Sequence, residues 1–393
     1  MKKVVIAAAK RTPIGSFGGT LSTLSASQLG SLSIKGVLEF SQVTHEIIDE
    51  VIFGNVLTAG QGQAPARQAA LLAGLPNKTE CLTINKMCGS GLKAVMLAAQ
   101  AIMCEDADIV IAGGQESMSN SPYILPNARN GYRLGNGELI DSIIKDGLWD
   151  VYNNIHMGSC AESCAQDFQF TREQLDEFAI KSYQKALDAQ KSGKFMDEIV
   201  KVNIKTKTGE NIIDIDEEPS KVNFEKIPNL KPVFKKDGIV TAANASSIND
   251  GAAALLVMSE EKAKALGLKP LVEIIAQSSA AKAPIEFTTA PADAISKVLK
   301  KASMKKDEIE LWEINEAFAV VSLAVNKLLD LDNSKINANG GAIALGHPIG
   351  ASGARILVTL IHELKRRNLT YGLASLCIGG GEASALIIKN YDK

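Results

Sequence analysis

Short runs of apolar residues alternate with amphipathic segments in the first and last thirds of the chain. A continuous apolar run is typical of a buried strand, whereas apolar residues that repeat every three or four positions predict a helix. These patterns predict strands at 4–9, 48–53, 81–85, 109–112, 310–314, 373–377 and 383–388, and helices at 91–103, 318–329 and 351–364. Because strands and helices alternate, we expect an α/β fold with a parallel sheet covered by helices.

Both ends of the chain repeat one unit, in which a strand leads through a glycine-rich turn into a helix. This likeness predicts a duplicated fold that brings one reactive turn from each half to a shared interface. The middle, 119–247, differs because it carries loop-rich sequence and one amphipathic helix. That helix is expected to begin at Thr171, which has capping-box spacing to Gln174, and to end near Gly193.

Composition limits the classes of function. The chain has 393 residues, of which 46% are hydrophobic and 22% charged, as in ordinary globular enzymes. A net charge of −2 gives no electrostatic reason to expect nucleic acid or an anionic membrane as a partner. The apolar run near the N-terminus ends at Lys10, so we interpret it as a strand rather than an export signal, and we expect no membrane-spanning run. A cytoplasmic protein with six reduced cysteines is therefore expected.

Three reactive residues stand in glycine-rich frames, namely Cys88 before Gly-Ser-Gly, His347 in Gly-His-Pro-Ile-Gly, and Cys377 shortly before Gly-Gly-Gly. Glycine lets backbone N–H groups approach a reacting carbonyl, and a helix N-terminus after Cys88 favours a thiolate. An imidazole can take the proton of a thiol. Two sulfurs and one imidazole in such frames predict acyl transfer, in which one sulfur attacks and the other moves protons.

Each of these residues also has a structural interpretation when it is taken alone. A free cysteine such as Cys88 is often simply buried, and His347 or Cys377 can belong to a tight turn. Asn315 follows a predicted strand and can be a helix cap as readily as a donor to a substrate oxygen. The three frames together favour the catalytic interpretation.

A metal site and nucleotide chemistry find little support. His156, Cys160 and Cys164 would share one helix face, as metal ligands can, but no fourth ligand stands at a familiar zinc spacing. We therefore predict no metal site and expect His156 and Met157 to line a substrate site instead. The sequence contains neither a P-loop nor a dinucleotide-binding fingerprint, which argues against NTP and NAD chemistry.

These frames and further motifs together resemble the thiolase family over essentially the whole chain. The motifs, in chain order, are Arg11-Thr12-Pro13-Ile14-Gly15, Gly54-Asn55-Val56-Leu57, the Cys88 frame, Gly113-Gly114-Gln115-Glu116-Ser117-Met118-Ser119, His156-Met157-Gly158, Ala243-Asn244-Ala245-Ser246, Asn249-Asp250-Gly251-Ala252-Ala253, Asn315-Glu316-Ala317-Phe318, and the His347 and Cys377 frames. The resemblance implies a duplicated, five-layered αβαβα core with a five-stranded sheet in each half. It implies an N-terminal half at 1–118 plus 248–269, a loop domain at 119–247 that covers the CoA site, and a C-terminal half at 270–393. A homotetramer, built as a dimer of dimers, is also implied.

The activity implied by the resemblance is the reversible condensation of two acetyl-CoA molecules to acetoacetyl-CoA and CoA through an acetyl group on Cys88. His347 would activate Cys88, and Cys377 would remove the α-proton of the second acetyl-CoA. Asn315 would hold a water, and this water and His347 would form one oxyanion hole. The N–H groups of Cys88 and Gly379 would form a second oxyanion hole. The residues implied to contact CoA or the acyl group are Ser246, His156, Met157, Phe318, Leu148, Ala243, Phe287 and Lys221.

The resemblance implies no required cofactor beyond the CoA substrates. Potassium activation is left open, because some segments resemble the potassium-activated type but Pro219 stands where that type has an ion-binding tyrosine. Phe287 stands where the bacterial type usually has methionine, which widens the expected preference towards 2-methylacetoacetyl-CoA. Ser220 replaces a basic residue near the nucleotide of CoA, and Lys221 is expected to compensate.

Three other functions stay open on the sequence. The first is a broader-range 3-ketoacyl-CoA thiolase of fatty-acid degradation. The second is a ketoacyl synthase, which usually pairs its cysteine with two histidines. The third is a catalytically silent acyl-CoA-binding or lipid-binding protein. Because Cys88, Asn315, His347 and Cys377 are all present, a working short-chain thiolase is favoured.

Overall fold

The structure is a computed structural model that describes residues 2–206 and 209–393. Its strands are β1 (Val4–Arg11), β2 (Gly15–Ser16), β3 (Glu50–Gly54), β4 (Glu80–Ile84), β5 (Ile109–Ser117), β6 (Tyr123–Ile124), β7 (Ile140–Asp141), β8 (Trp149–Asp150), β9 (Ile155–His156), β10 (Val202–Thr206), β11 (Gly209–Ile213), β12 (Asn249–Ser259), β13 (Val272–Ala281), β14 (Leu311–Ile314), β15 (Tyr371–Ile378) and β16 (Glu382–Asn390). Its α-helices are α1 (Ala26–Ser41), α2 (Pro65–Leu72), α3 (Ser90–Cys104), α4 (Met157–Asp167), α5 (Arg172–Lys191), α6 (Glu260–Ala265), α7 (Ala290–Ala302), α8 (Ala319–Leu329), α9 (Ala342–Leu345) and α10 (Ile349–Arg366). Every strand and helix that the apolar pattern predicts is present, with shifts only at the ends.

The main sheet is mixed, so the expectation of a parallel sheet is wrong in part. Its strand order is β14-β15-β16-β13-β1-β12-β5-β3-β4, with β2 attached to β12. Parallel pairing is confined to β3 with β4 and β5, and to β14 with β15. The tight glycine turn between β15 and β16 allows only antiparallel pairing, because a parallel partner needs a long crossover connection.

Five layers form the core, as the family resemblance implies. Helices α3 and α10 lie in the middle, between the strands of the N-terminal half and those of the C-terminal half. Helices α1 and α2 cover the outer face of the first half, and α7 and α8 cover the outer face of the second. The halves join at a short contact between β1 and β13. This arrangement places the turns before α3 and α10 side by side.

The C-terminal half has four long strands in the part of the chain that the structure describes, rather than the five that the resemblance implies. Where a fifth strand would pair with β14, Ile336 makes a single parallel bridge to Trp312. Asn337 then adopts a left-handed backbone with φ of 44°. Its side-chain amide accepts from the N–H of Ile314 at 2.9 Å and donates to the carbonyl of Ile314 at 2.8 Å. One side chain thus replaces the strand pairing there.

Two further sequence expectations concern single helices. The capping box at the start of α5 is confirmed, because the side chains of Thr171 and Gln174 each accept the other's backbone N–H, and Gly193 follows with φ of 70°. The segment Met87–Cys104 is long and apolar enough to cross a membrane by length and composition, contrary to expectation. Here it forms α3 and packs between the two sheets.

Candidate active site

A cavity of about 630 Å³ lies where both halves meet the segment between β5 and β12. Cys88, His347 and Gly379 contribute to one wall, and each comes from a turn at the end of a strand or helix. The structure therefore brings together the three frames that the sequence singled out.

Cys88 lies in the turn between β4 and α3. The side chain of Asn85 accepts the N–H of Met87 at 3.0 Å, and Ser90 accepts the N–H of Lys86 at 2.8 Å, which together fix a turn in which Met87 has a left-handed φ of 46°. The backbone N–H groups of Gly379 and of Cys88 itself point to the sulfur. Burial nevertheless raises the pKa of the Cys88 thiol to about 11, so desolvation outweighs the helix N-terminus and the thiol is neutral at physiological pH.

His347 lines the same cavity as this thiol. Gly346 before it has φ of 102°, and a Cβ there would lie 2.5 Å from the side chain of Asn249, so only glycine fits. Asn249 in turn accepts the backbone N–H of His347 at 2.9 Å. Burial, assisted by the positive charge of Arg355, lowers the pKa of His347 to about 3. The imidazole is therefore neutral and able to accept a proton.

Ser352 selects the tautomer of His347. Its hydroxyl lies 2.6 Å from Nδ1 of His347 and donates its own hydrogen to the carbonyl of Pro348 at 2.9 Å. Because that hydrogen is used, the hydroxyl oxygen accepts from an N–H at Nδ1. The remaining nitrogen, Nε2, carries the lone pair and has no hydrogen-bond partner among the residues that the structure describes. Ser352 was not singled out by the sequence, and it lies just beyond Gly350, the residue that ends the His347 frame.

Replacing Ser352 with alanine is expected to lower kcat by about 10- to 100-fold with little change in KM, because Nδ1 loses the acceptor that fixes the ring. Ser322→Ala is the matched control, since Ser322 is equally buried but its hydroxyl has no partner within the described parts of the chain. Steady-state kinetics on both variants measure the difference. Equal losses in the two variants would argue that Ser352 only packs.

Cys377 and Asn315 lie behind the cavity wall rather than on its surface. Cys377 is fully buried near the end of β15, two residues before Gly379. Burial and the nearby charge of a Cys88 thiolate raise the pKa of the Cys377 thiol well above its usual range. Asn315 follows β14, and its N–H donates to the carbonyl of Ser375 at 3.0 Å. Both predicted residues therefore belong to the same end of the C-terminal sheet, next to residues that line the cavity.

The rest of the cavity wall is largely aromatic and apolar. Seven of the eight predicted substrate-contacting residues line it, namely Ser246, His156, Met157, Phe318, Leu148, Phe287 and Lys221. Ala243 does not: it is buried, and the turn closed by the N–H of Ala245 on the carbonyl of Thr241 at 3.1 Å presents Ala242 and Ala245 instead. The predicted contact of Ala243 with the substrate stays a prediction.

Phe234 is a lining residue that the sequence reasoning missed. Its ring stacks on His156 with centroids 4.7 Å apart and meets Phe318 edge-on at 6.2 Å. Phe287 meets Phe318 in the same way at 6.3 Å, so four rings form one continuous surface. The available signal was an aromatic residue isolated in the lysine-rich stretch 231–236.

Lys221 lies at the rim, where it donates to Ser16 at 2.6 Å and to Glu217 at 2.7 Å. Both contacts are within the chain, so its ammonium group is held in place beside the opening of the cavity. Ser246 donates to the carbonyl of Ala317 at 3.0 Å. These contacts fix the positions of two polar groups that line the cavity.

Glu116 ties the two halves together beneath the site. Its carboxylate accepts from the side chain of Asn55 at 2.7 Å and from the N–H groups of Val56, Leu57 and Gly350 at 2.8 to 3.2 Å. Burial raises its pKa to about 7, although these donors favour the ionised form. The close approach also explains Gly114, because a Cβ there would lie 2.0 Å from the carbonyl of Gly350. The start of α10, next to His347, is thereby fixed to the N-terminal half.

Nothing in the described residues contradicts the prediction of no metal site. No group of three or more metal-ligating side chains occurs within residues 2–206 and 209–393. His156 is the N-cap of α4 and accepts the N–H of Gly158 at 3.0 Å. Cys160 donates to the carboxylate of Asp150 at 3.8 Å, and Cys164 packs in a separate apolar cluster. The three residues thus make separate contacts within and around α4 rather than binding one common ligand.

Comparison with known proteins identifies the family. The family described as Thiolase, N-terminal domain, matches residues 4–261, and that described as Thiolase, C-terminal domain, matches residues 268–390. The chain belongs to the thiolase family. Acetyl-CoA acetyltransferase of Allochromatium vinosum is 53% identical to this thiolase over 390 residues, which cover 99% of each protein. Mitochondrial acetyl-CoA acetyltransferase of Bos taurus is 52% identical over 391 residues, which cover 99% of this chain and 92% of the bovine protein.

Solved structures of other thiolases share the fold. Acetyl-CoA acetyltransferase of Bacillus anthracis superimposes with a TM-score of 0.97 at 46% identity, and human mitochondrial 3-ketoacyl-CoA thiolase with 0.96 at 41%. Each comparison covers 99% of both chains. Acat5 thiolase of Ascaris suum, solved in complex with coenzyme A, has a TM-score of 0.94 at 46% identity over 99% of this chain and 100% of that chain. The predicted family and fold are confirmed.

Proposed function

We propose that this thiolase is an acetyl-CoA C-acetyltransferase, which condenses two acetyl-CoA molecules to acetoacetyl-CoA and CoA and catalyses the reverse cleavage. The observation that carries the proposal is the meeting of Cys88, His347 and Gly379 on one cavity wall, with Cys377 and Asn315 directly behind it. Full-length relatives named acetyl-CoA acetyltransferase support the same activity.

The first step is transfer of an acetyl group to Cys88. The free enzyme holds a neutral thiol beside a neutral imidazole, so the proton must move to Nε2 of His347 as the sulfur attacks the thioester carbonyl. The N–H groups of Gly379 and Cys88, which point to the sulfur, then stabilise the oxyanion that forms beside it. When the carbon–sulfur bond to CoA breaks, the departing sulfur takes the proton of Cys377, which leaves a Cys377 thiolate.

The second step forms the carbon–carbon bond. The Cys377 thiolate removes the α-proton of a second acetyl-CoA, and its raised pKa makes it the stronger base that a weakly acidic C–H requires. The resulting carbanion attacks the acetyl group on Cys88, while protonated His347 and Asn315 stabilise charge on the thioester oxygen. The Cys88 sulfur departs and recovers its proton from His347, which returns both thiols to their starting state. The scheme uses no metal or redox cofactor, and potassium activation stays open.

The aromatic end of the cavity supports a short acyl group. Met157, Phe287 and Phe318 crowd the wall next to Gly379, where the acetyl group on Cys88 would lie. A broader 3-ketoacyl-CoA thiolase is the second candidate, because the human enzyme of that name shares the fold at 41% identity. The higher identity to proteins named acetyl-CoA acetyltransferase favours the short-chain function.

Cleavage of acetoacetyl-CoA, 2-methylacetoacetyl-CoA and 3-ketohexanoyl-CoA by CoA tests the proposal. We expect rapid cleavage of the four-carbon chains and, because of the aromatic wall, at least about 10-fold lower kcat/KM for the six-carbon chain. Running the assay in potassium and in sodium salts shows whether potassium increases the activity of the enzyme. Comparable kcat/KM values for all chain lengths would instead support the broad degradative function.

We also propose that the protein is a homotetramer located in the cytoplasm. Strand β4 pairs with only one neighbour in the described sheet, and Leu82 on it is 42% exposed. An exposed strand edge of this kind invites pairing with a second copy. Exposed apolar residues also cluster between β6 and β7, where Leu134 and Leu139 face outwards. Light scattering of the purified protein would give the mass of four chains, and cell fractionation tests the location.

A further inference from the structure

The guanidinium of Arg355 lies buried behind the catalytic wall. Arg355 belongs to α10, about two turns after its start beside His347, and is 1% exposed. Its ion-pair partner is Glu313 on β14, which is 2% exposed, with Nη1 of the arginine 4.0 Å from Oε2 of the glutamate. Moving two charged groups out of water costs more free energy than an ion pair at this separation recovers. A contribution to folding stability therefore does not by itself account for the buried pair of Arg355 and Glu313.

Asn315 completes a triad with these two residues. Glu313 and Asn315 stand two positions apart at the end of β14, so both side chains leave the same face, towards α10. Nη2 of Arg355 donates to Oδ1 of Asn315 at 3.5 Å, at the long end of hydrogen-bond distances. The remaining polar atoms of the triad, namely Nε and Nη1 of Arg355, Oε1 of Glu313 and Nδ2 of Asn315, have no hydrogen-bond partner among the described residues.

The chemistry of the two groups decides how the amide of Asn315 is oriented. A guanidinium offers only donors, whereas a side-chain amide has one accepting end and one donating end. Next to Arg355 the amide must turn its oxygen to the cation, because the flipped amide would set two donors against each other. Nδ2 is then left as the free donor. Without the cation both orientations have similar energy.

The same cation acts on the catalytic base. The charge of Arg355 adds to burial in lowering the pKa of His347. Burial lowers the pKa of Arg355 and the nearby charge of Arg11 adds to this, whereas the carboxylates of Glu313, Asp216 and Glu198 oppose the shift in part. Arg355 therefore lies between the two groups that share one oxyanion hole in the proposed scheme.

We propose that Arg355, anchored by Glu313, is a positioning residue that orients the Asn315 amide so that Nδ2 serves as the donor of the oxyanion hole. This inference rests on the proposed function, in which Asn315 stabilises charge on the substrate oxygen. It adds two residues outside the reacting groups to the machinery of this site.

A double-mutant cycle between Asn315 and Arg355 tests the inference. The thiolysis of acetoacetyl-CoA is measured for the full-length wild type, Asn315→Ala, Arg355→Met and the double variant. We expect kcat to fall about 100-fold in Asn315→Ala, as for other oxyanion donors, and about 10- to 100-fold in Arg355→Met. The double variant is expected within about 3-fold of Asn315→Ala, because Arg355 acts through Asn315.

Milder variants and a control separate positioning from folding. Arg355→Lys keeps a donor-only cation and is expected to recover kcat to within about 10-fold of wild type. Glu313→Gln releases the anchor and replaces Arg355→Met in the cycle if that variant does not fold. Arg11→Met is the control, because it removes another buried guanidinium, which binds Glu198 and Asp216 rather than Asn315. The fold-decrease in kcat that it causes is expected to multiply with the fold-decrease caused by Asn315→Ala.

Two results would overturn the inference in different ways. Losses in Asn315→Ala and Arg355→Met that simply multiply would show that Arg355 does not act through the amide, and would leave the proposed function intact. An Asn315→Ala variant with the kcat of wild type would remove the role of Asn315 in the proposed scheme and the inference with it.

Discussion

Replacing Cys88 with alanine is expected to abolish the CoA-dependent cleavage of acetoacetyl-CoA, with kcat at least about 10⁴-fold lower. Cys88 is the thiol that lines the cavity, and the N–H groups that would stabilise the oxyanion converge on its sulfur. Cys377 is not expected to substitute for it, because the N–H groups of Gly379 and Cys88 point to the sulfur of Cys88.

Binding of CoA controls for folding in this experiment. Alanine at position 88 removes only the sulfur, so the CoA-dependent rise in Tm is expected to match that of wild type. Cys104→Ala is the matched control, since Cys104 is exposed at the end of α3 and is expected to keep normal activity. Cleavage by Cys88→Ala at a rate near that of wild type would show that another group carries the acetyl group.

Replacing Cys377 with alanine is expected to separate the two halves of the reaction. Overall turnover should fall by about 10²- to 10⁴-fold, the range typical of a lost acid–base group. Transfer of a labelled acetyl group to Cys88 should continue at a reduced rate, because the thiol, His347 and the N–H donors of Gly379 and Cys88 are retained while the departing CoA sulfur loses the proton of Cys377. Exchange of the α-protons of acetyl-CoA with deuterium from the solvent should stop.

Deuterium exchange distinguishes a catalytic role of Cys377 from a merely structural one. A folding defect would lower acetyl transfer and exchange to the same extent, whereas loss of the base stops exchange and leaves acetyl transfer measurable. Exchange that persists in Cys377→Ala would assign α-proton removal to a different group. His347 would then be the next candidate, because it lines the cavity and its Nε2 has no hydrogen-bond partner among the described residues.

Local sequence patterns predict the elements of this fold well. The apolar runs that form β1, β5 and β15 are continuous and buried, so their periodicity is unambiguous. Strand direction is different, because it depends on how the segments are connected. The mixed sheet follows from short returns such as the glycine turn after β15, which carry no signal in the periodicity of the strands themselves.

The candidate site shows the same division. Cys88, His347 and Cys377 are visible in the sequence because each needs glycine neighbours for its backbone. The residues that support them are not visible in this way. Glu116, for example, accepts the N–H of Gly350, which lies 234 positions later in the chain. Ala243 is buried whereas Ala242 and Ala245 line the cavity, because neighbouring residues of one motif face different sides of a turn. Long-range hydrogen bonds and the facing of turn residues require the three-dimensional structure.

Acid stability gives a further view of the buried base. His347 has a folded-state pKa of about 3, below the ordinary value of 6.5, so the unfolded chain binds this proton more readily. The contribution of His347 to the free energy of unfolding is therefore fully present above about pH 6.5 and is lost as pH falls towards 3. The same burial keeps the imidazole neutral, and thus able to accept the Cys88 proton, throughout the physiological range.

The most direct test of the account is to locate the acetyl group. The enzyme is mixed with acetyl-CoA, quenched in acid and digested with trypsin, and the peptide 87–93, in which Cys88 is the single cysteine, is analysed by mass spectrometry. We predict one acetyl group on Cys88 that disappears when CoA is added before the quench. An acetyl group on Cys377, or one on Cys88 that CoA does not remove, would contradict the proposed mechanism.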